Sequence, residues 1–389
     1  MKILRVIVTM DPSYGGPCQG IRNSIPPLED LGIANEVVCF DAPDSLYLGT
    51  DTFKIHAIGP AKGPYSYCSG FEGWLQQHFE RFDAVIIHGL WQYTSYGTYR
   101  VWKQYKKNHT VYPQLYVMPH GMLDPYFQKA PERRLKALRN RIFWHILEKR
   151  VIHGVDGLLF TCEQELLLAR TTFGAYCPQK ELNVGYGINE PPPVKETELN
   201  VFKAAFPRLQ ETPYFLFLSR IDPKKGVDLL LEAYIEKRLE YSNIPDLVVA
   251  GPGMDSLYGK KLLALAQGSS HIHFTGMVTG AVKWAFFEQC EAFVLPSHQE
   301  NFGIAVAEAL ACSVPVLISD QVNIWKEIES MKAGLICTDK LKGVSEMLDR
   351  WIALGPDEKK HMKRNARCAY ETYFTNLNFA KKIKESIFN

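Results

Sequence analysis

The sequence lacks several patterns that would point to particular classes of protein. Its nine cysteines include no Cys-x-x-Cys pair, so neither a zinc ribbon nor a disulfide framework is indicated. No apolar run approaches the length needed to span a bilayer, and the opening run ends at Asp11-Pro12, too early for a signal peptide. A formal net charge of only +2 argues against a dedicated nucleic-acid binder. We therefore expect a cytoplasmic protein that is soluble or peripheral to a membrane.

Short apolar runs alternate with helical segments in two series, and 389 residues are more than one core usually supports. The first series predicts strands at 3–8, 36–40, 84–88, 115–118, 157–161 and 182–186. The second predicts strands at 214–218, 247–250, 272–275, 292–295, 314–318 and 335–337. Such alternation is typical of parallel sheets covered by helices. The predicted fold class is α/β, with two Rossmann-like, doubly wound domains.

A proline-rich stretch separates the two series. Residues 189–193 read Asn-Glu-Pro-Pro-Pro, which continues neither a helix nor a strand. We therefore predict an N-terminal domain over 1–190 and a C-terminal domain that begins at 191. Because such sheets bind ligands at the carboxyl ends of their strands, we expect the function in a cleft between the two domains.

The most informative stretch, residues 297–311, spans a predicted strand-to-helix turn. Glu300 lies on the loop, and the first amides of the helix that follows have no partners within that helix. Glu308 falls in an otherwise apolar helix, where a buried carboxylate needs hydrogen-bond partners. A capped core helix and a ligand site both explain this stretch, so both alternatives remain open at this point.

Two cations leave the carboxyl end of the first strand in the second series. Arg220 and Lys225 lie there in Ser-Arg-Ile-Asp-Pro-Lys-Lys-Gly, ahead of a predicted helix. Two cations in such a turn could hold a diphosphate and offset charge that develops on it. A solvated basic turn is the alternative.

Glycine-rich turns follow other predicted strands. Gly15-Gly16 could let backbone approach a phosphate. Gly251 lies in a second turn of this kind, and the backbone of Met277 and Val278 could face a nucleobase. The chain has no Gly-x-Gly-x-x-Gly in these turns, which disfavours a nicotinamide dehydrogenase.

A histidine follows the predicted strand 115–118. His120 lies in Pro-His-Gly-Met-Leu-Asp-Pro, where it could bond a sugar hydroxyl or a phosphate oxygen, and Asp124 could assist it. A structural histidine is the alternative.

In order and spacing these motifs resemble the retaining glycosyltransferases of family 4, which have the GT-B fold of two Rossmann-like domains facing a central cleft. The Glu-x7-Glu hallmark is matched by Glu300 and Glu308, and its Phe-Gly by Phe302-Gly303. The Arg and Lys-Gly pair of the family is matched by Arg220 and Lys225-Gly226. The string around His120 looks like bacterial, including cyanobacterial, enzymes of exopolysaccharide and envelope-polysaccharide assembly.

The resemblance implies how the nucleotide of a nucleoside diphosphate sugar would be held. Glu308 would bind the ribose hydroxyls. Arg220 and Lys225 would bind the diphosphate, which Gly15-Gly16 would approach from the other domain.

The resemblance also implies which residues would bind the sugar of the donor. Glu300 and the amides of Asn301, Phe302 and Gly303 would hold its hydroxyls. His120 would act at the reacting centre, with Glu300 as a positioning residue.

The implied activity is retaining transfer of a hexose, with glucose from UDP-glucose expected, to a glycan or lipid-linked saccharide in extracellular or envelope polysaccharide biosynthesis. The acceptor would attack the face that the diphosphate leaves, and the diphosphate would help to accept its proton. No cofactor and no metal are expected, and the chain contains no Asp-x-Asp clamp. No nucleic-acid partner is expected. The fold also implies that residues 371–389 form a helix that crosses back to the first domain, which limits the second to 191–370.

Two alternatives remain. A nucleotide-sugar epimerase shares the two-domain architecture and would interconvert the donor without an acceptor. A catalytically silent subunit would bind the sugar nucleotide without turnover.

One basic segment bears on the acceptor. Residues 129–150 carry two acidic residues, Glu132 and Glu148, and eight basic ones: Lys129, Arg133, Arg134, Lys136, Arg139, Arg141, Lys149 and Arg150. The spacing predicts that Leu135, Leu138, Ile142 and Ile146 face the core while Trp144 faces outward. An ordinary solvated face and a helix that rests on an anionic membrane are both open.

Overall fold

The computed structural model describes residues 1–130, 133–210 and 212–388. Two units make up this part of the chain. Unit 1 contains residues 1–187 and the described residues from 376 onward, and unit 2 is Ile188–Thr375. Each unit has its own parallel sheet and its own helices, which confirms the predicted α/β class.

In the described part of unit 1, seven parallel strands follow the order β3-β2-β1-β4-β5-β6-β7. They are β1 (Lys2–Val6), β2 (Ala34–Cys39), β3 (Lys54–Ala57), β4 (Ala84–His88), β5 (Gln114–Met118), β6 (Gly157–Phe160) and β7 (Glu181–Asn183). Central strands are covered on both faces and therefore read as continuous apolar runs, as in β4, where all five residues are buried.

The helices of unit 1 connect these strands. They are α1 (Gly16–Asp30), α2 (Phe71–His78), α3 (Tyr93–Asn108), α4 (Tyr126–Lys129), α5 (Arg134–Phe143), α6 (Lys149–Gly154) and α7 (Glu163–Thr172). Trp144–Glu148 is a π-helical turn between α5 and α6. The strand order reverses between β1 and β4, and ligands of open α/β sheets bind at such a switch point.

Unit 2 repeats this plan with six parallel strands among its described residues, in the order β10-β9-β8-β11-β12-β13. They are β8 (Tyr214–Leu218), β9 (Asp246–Ala250), β10 (Ile272–Gly276), β11 (Ala292–Leu295), β12 (Val316–Ser319) and β13 (Gly334–Cys337). Its switch point lies between β8 and β11. The loops after these two strands are those in which the sequence places its main motifs.

The helices of unit 2 alternate with its strands. They are α8 (Glu196–Ala205), α9 (Val227–Glu240), α10 (Leu257–Leu265), α11 (Gly280–Gln289), α12 (Ile304–Ala311), α13 (Trp325–Ser330), α14 (Leu341–Ala353) and α15 (Pro356–Ala369). The sequence pattern does not predict α8, α13 or the edge strand β3. β3 has only four residues, and none of them is fully buried, so it carries little apolar signal.

The unit boundaries lie near, but not at, the predicted positions 190/191 and 370/371. Ile188 belongs to unit 2, where its N–H donates to Phe374 O (2.8 Å) and its carbonyl accepts from the Tyr370 hydroxyl (3.0 Å). Tyr370–Phe374 is a π-helical turn of the same unit. The last helix, α16 (Asn376–Phe388), therefore starts five residues later than predicted, and it packs on α1 in unit 1.

The prediction for the basic segment is wrong about which face is buried. Trp144 is 1% exposed and stacks on Phe173 with ring centroids 4.6 Å apart, and its Nε1 donates to Gly174 O (3.2 Å). The inward face also carries Ala137, Asn140 and Glu148. Because these side chains are small or polar, the pattern of hydrophobic residues does not predict that this face is buried. The apolar residues at 135, 138, 142 and 146 face outward instead. Residues 131 and 132 of this segment, Glu132 included, lie outside the described part.

None of the described helices combines the length and the apolar character that crossing a bilayer demands.

Candidate active site

The loop after β11 is tied to the turn after β8 across the switch point of unit 2. The buried hydroxyl of Ser297 donates to Lys224 O (3.0 Å), and His298 N donates to the same carbonyl (2.8 Å). Gly226 lets the two segments approach, because a Cβ at this position would lie 2.2 Å from Pro296 O. Its φ of 65° is also in the left-handed region that favours glycine. The backbone of this turn therefore requires a glycine at 226, directly after the lysine that supplies the charge.

Glu300 is held on the opposite side by the loop after β12. Its N–H donates to Gln321 O (3.0 Å), and its carbonyl accepts from Asn323 N (3.0 Å). These two bonds fix the backbone of Glu300, and its side chain is therefore presented from a rigid position.

Lys225 and Glu300 form an ion pair through Nζ and Oε2. Lys225 is 6% exposed although it is a lysine. Burial alone would raise the pKa of Glu300, but Lys225, Lys224 and Arg220 together hold that pKa below its ordinary value. Arg220 is exposed at the end of β8 and acts on Glu300 through its charge. The two predicted cations and Glu300 therefore form one electrostatic cluster, in which the carboxylate of Glu300 is ionised at neutral pH.

Glu308 lies on α12, which follows Gly303. Gly303 has a φ of 80°, and a Cβ there would contact Val306 and Val322 at 3.1 and 3.2 Å. The side chain of Phe302 is 5% exposed and packs edge-on against Phe374, with ring centroids 5.6 Å apart. Phe302 therefore offers a ligand its backbone and not its ring. As a glycine, Gly303 supplies no side-chain cap to the start of α12.

The hydrogen-bond partner that Glu308 needs is Lys283 on α11, whose Nζ lies 2.7 Å from Glu308 Oε1. The two side chains are 21% and 14% exposed, with Lys283 the more accessible. Burial raises the pKa of Glu308, and the charge and hydrogen bond of Lys283 oppose that rise. The sequence analysis does not name Lys283. The sequence does contain one sign of this pairing. Lys283 is the single charged residue in the first eight positions of α11, and Glu308 is the single charged residue in α12.

The glycine turn of Gly251 and the predicted nucleobase turn of Met277-Val278 follow the neighbouring strands β9 and β10. Gly251 N donates to Gly276 O (2.7 Å), which joins the two turns. Gly251 has a φ of 147°, and a Cβ there would lie 1.8 Å from Ser219 O. After β10, Met277 is 69% exposed and Val278 is half-buried. These turns leave the same edge of the sheet as the loops that carry Lys225 and Glu300.

In unit 1, the predicted glycine turn follows β1 and opens α1. Gly15 has a φ of 85° and no atom within 4 Å of the position a Cβ would take. Gly16 is the first residue of α1, and its carbonyl accepts from the Tyr186 hydroxyl (2.5 Å). The turn is therefore open on the side where Gly15 lacks a side chain.

His120 follows β5 and pairs with a second histidine that the sequence analysis does not single out. His88 Nδ1 lies 2.9 Å from His120 Nε2, and the two rings are stacked. Burial, aided by the charge of buried Arg5, lowers the pKa of His120 to about 3. His120 is therefore neutral at physiological pH and hydrogen-bonds as an uncharged imidazole.

The turn after His120 is held by two carboxylates. Gly121 N donates to Glu165 Oε1 (2.5 Å), and Glu165 is 3% exposed. Asp124 is 6% exposed and its Oδ1 accepts from Tyr126 N (2.8 Å). This bond gives Asp124 a structural role at the start of α4.

Comparison with known proteins identifies unit 2. Residues 201–368 match the family described as Glycosyl transferases group 1. Unit 2 carries a group 1 glycosyl transferase domain. This group 1 domain contains every residue predicted in the second half of the chain, from Arg220 to Glu308, and Lys283 as well.

Curated relatives match part of the chain. It is 30% identical over 171 residues to D-rhamnosyltransferase WbpZ of Pseudomonas aeruginosa, which is 42% of each protein. It is 26% identical over 264 residues to the GDP-mannose-dependent alpha-(1-6)-phosphatidylinositol monomannoside mannosyltransferase of Mycobacterium tuberculosis, or 61% of this chain and 67% of the relative. The chain spans about half the length of the first curated relatives that it matches.

Solved structures resemble the whole chain. Sucrose-phosphate synthase from Thermosynechococcus elongatus has a TM-score of 0.74 at 17% identity, with 99% of this chain and 98% of that chain covered. HepE of Anabaena in complex with UDP and glucose has a TM-score of 0.72 at 15% identity, with 99% of both chains covered. At this identity the likeness concerns the fold, and it confirms the predicted GT-B class.

Proposed function

We propose that the chain is a metal-independent, retaining hexosyltransferase of family 4, which transfers glucose from UDP-glucose to a glycan or lipid-linked saccharide. The observation that carries the proposal is the cluster of Lys225, Glu300 and Arg220 at the switch point of a group 1 glycosyl transferase domain. Charged groups at that edge of the sheet are positioned for a diphosphate and for the sugar attached to it.

In this proposal the cations bind the diphosphate and stabilise the negative charge that grows on it as the bond to the sugar breaks. The acceptor oxygen bonds to the anomeric carbon on the face that the diphosphate leaves, and a phosphate oxygen takes the acceptor's proton. Glu300, ionised beside Lys225, accepts hydrogen bonds from the sugar's hydroxyls together with the amides of Asn301 to Gly303. Glu300 is a positioning residue and does not attack the sugar.

Glu308 binds the ribose hydroxyls, and Lys283 orients its carboxylate. The turn at Met277-Val278 contacts the base, and the glycine turn at Gly251 contributes to the donor site beside it. Gly15-Gly16 approaches the phosphates, and neutral His120 bonds the sugar or a phosphate oxygen.

The donor and acceptor are proposed from chemistry and from relatives. The HepE structure contains UDP and glucose, whereas the mycobacterial relative is named as GDP-mannose-dependent, so the base and the sugar must be tested directly. That relative also acts on a phosphatidylinositol monomannoside, and a second is an alpha-monoglucosyldiacylglycerol synthase. Their names support a lipid-linked acceptor. The proposal also includes a glycan acceptor, a role in extracellular or envelope polysaccharide biosynthesis, and a cytoplasmic location at the inner face of the plasma membrane.

A screen of UDP-, GDP- and ADP-sugars for thermal stabilisation tests the donor, because a ligand of the folded state raises its apparent stability. We expect the largest shift with UDP-glucose, and a larger shift with a GDP- or ADP-sugar would contradict that choice. Transfer to saccharide acceptors, followed by NMR of the product, tests the mechanism. An inverted anomeric centre would exclude retention, and donor interconversion without an acceptor would indicate the epimerase.

Matched variants test the site. Lys225→Ala should lower turnover about 100-fold, since one group that stabilises transition-state charge is lost. Glu308→Gln should weaken donor binding while the protein stays folded. Lys260→Ala and Glu236→Gln make the same changes at exposed positions of unit 2 and should act like the parent protein. Undiminished transfer by both site variants would refute the assignment.

A further inference from the structure

The outward face of α5 and of the π-helical turn after it is a continuous apolar strip. Leu135 is 84% exposed, Leu138 58%, Ile142 50% and Ile146 54%. Their spacing of three, four and four residues keeps them on one side of the helix, over about 16 Å at 1.5 Å per residue. Side chains of this size are normally buried, and a strip of four of them on one face marks an interaction surface.

Cations flank this strip on both sides. Arg134, Lys136, Arg139, Arg141 and Arg150 are exposed, and Arg133 and Lys149 are half-buried. Within residues 133–150 the one acidic residue, Glu148, is 0% exposed and accepts from Trp91 N and from the Ser95 hydroxyl inside unit 1. Within the described residues 133–150 the segment therefore carries seven cations and no accessible anion, in a chain whose net charge is only +2.

The inward face of the helix anchors it, so that the strip cannot simply turn toward the core. Trp144 is stacked on Phe173, and Asn140 is 4% exposed. Rotation of the helix would expose Trp144 and the carboxylate of Glu148. The apolar strip is thus held outward by the packing of unit 1.

We propose that this face is a docking surface for an anionic lipid bilayer, on which the helix lies parallel to the membrane plane. An apolar strip with Lys and Arg along both margins matches that setting, because the strip enters the acyl boundary while the long cationic side chains reach the headgroups. A second copy of the same face is disfavoured, since two surfaces that each carry a row of cations would repel one another. The proposal concerns a surface of unit 1 and does not depend on which sugar or acceptor the protein uses.

Flotation of the full chain with vesicles tests the proposal in the absence of donor and acceptor. Vesicles of equimolar phosphatidylcholine and phosphatidylglycerol should carry the protein, and vesicles of phosphatidylcholine alone should not. Added salt should release it, because the Lys and Arg contacts are screened. Failure to float with the anionic vesicles would overturn the proposal and would show that the face serves a protein partner or none.

Leu135→Asp/Leu138→Asp places two carboxylates in the strip and should abolish flotation. Leu239→Asp/Leu257→Asp is the matched control, because these leucines are 88% and 82% exposed in unit 2 and receive the same change in charge. Arg139→Gln/Arg141→Gln should weaken binding about 30-fold, at about one kcal/mol for each charge lost. All variants should keep the parent's thermal stabilisation by nucleotide sugar. Flotation of the first variant at the parent's level would contradict the docking surface while leaving the proposed transferase activity untouched.

Discussion

Replacement of Lys283 by methionine should leave Glu308 as a largely buried carboxylate without its counter-ion. Methionine keeps most of the volume of the lysine stem, so packing changes little. Removing one partner from a fully buried pair costs about 3–5 kcal/mol, and a hydrogen bond to a charged group is worth about 1.5–3 kcal/mol. Because the two side chains are 21% and 14% exposed, we expect a loss near the lower figures, about 2 kcal/mol at neutral pH.

A double-mutant cycle isolates the part of this loss that belongs to the pair. Lys283 Nζ also lies 4.1 Å from the centre of the Trp284 ring, and Lys283→Met removes that contact too. The contact with Trp284 is absent from both arms that contain methionine and therefore cancels in the cycle. Urea unfolding of the parent, Lys283→Met, Glu308→Gln and the double variant should give a coupling of about 1 kcal/mol or more. Additivity within about 0.5 kcal/mol would refute the pairing.

The pH dependence supplies a second check of the same pair. Lys283 opposes the effect of burial on Glu308, so without Lys283 the pKa of Glu308 should rise further above the ordinary 4.5. Between the unfolded and folded pKa values the native state then binds more protons than the unfolded state, and stability falls as pH rises. The deficit of Lys283→Met should therefore be small below the ordinary pKa and grow toward neutral pH. A deficit that is constant with pH would contradict this reasoning.

Two further predictions concern the framework of each unit. Burial raises the pKa of Glu148 to about 7, so this carboxyl contributes stability that is lost as pH rises from 4.5 to 7, and the stability of Glu148→Gln relative to the parent should rise over that range in urea unfolding; a difference that is constant with pH would contradict it. Gly226→Ala should both destabilise unit 2 and reduce stabilisation by nucleotide sugar, because the new Cβ would meet Pro296 O at 2.2 Å. Gly268→Ala is its control, with a φ of 89° but no atom within 4 Å, and should cost only about 1–2 kcal/mol of left-handed strain. Equal effects of the two substitutions would show that the contact with Pro296 is unimportant.

The fold was largely accessible from the sequence because strands covered on both faces leave continuous apolar runs, as in β8 and β11. The motif around Glu300 was also accessible, since it depends on residues close together in the chain. Lys283 was not, because it lies 25 residues from Glu308 on a different helix and their pairing depends on how the two helices pack. For the basic helix, the sequence led to a wrong prediction of which face is buried. Its anchoring face uses Ala137 and Asn140, and hydrophobic periodicity therefore selected the wrong side.

The late return of the chain to unit 1 has a consequence for the order in which the protein is made. α16 packs on α1, and its Lys384 Nζ donates to Leu31 O (3.3 Å). Since α16 follows all of unit 2 in the chain, translation places 188 residues between the other elements of unit 1 and the helix that completes their packing. On the ribosome, unit 2 can therefore finish folding while α1 still lacks its partner. The first unit to be synthesised is thus the last to be completed.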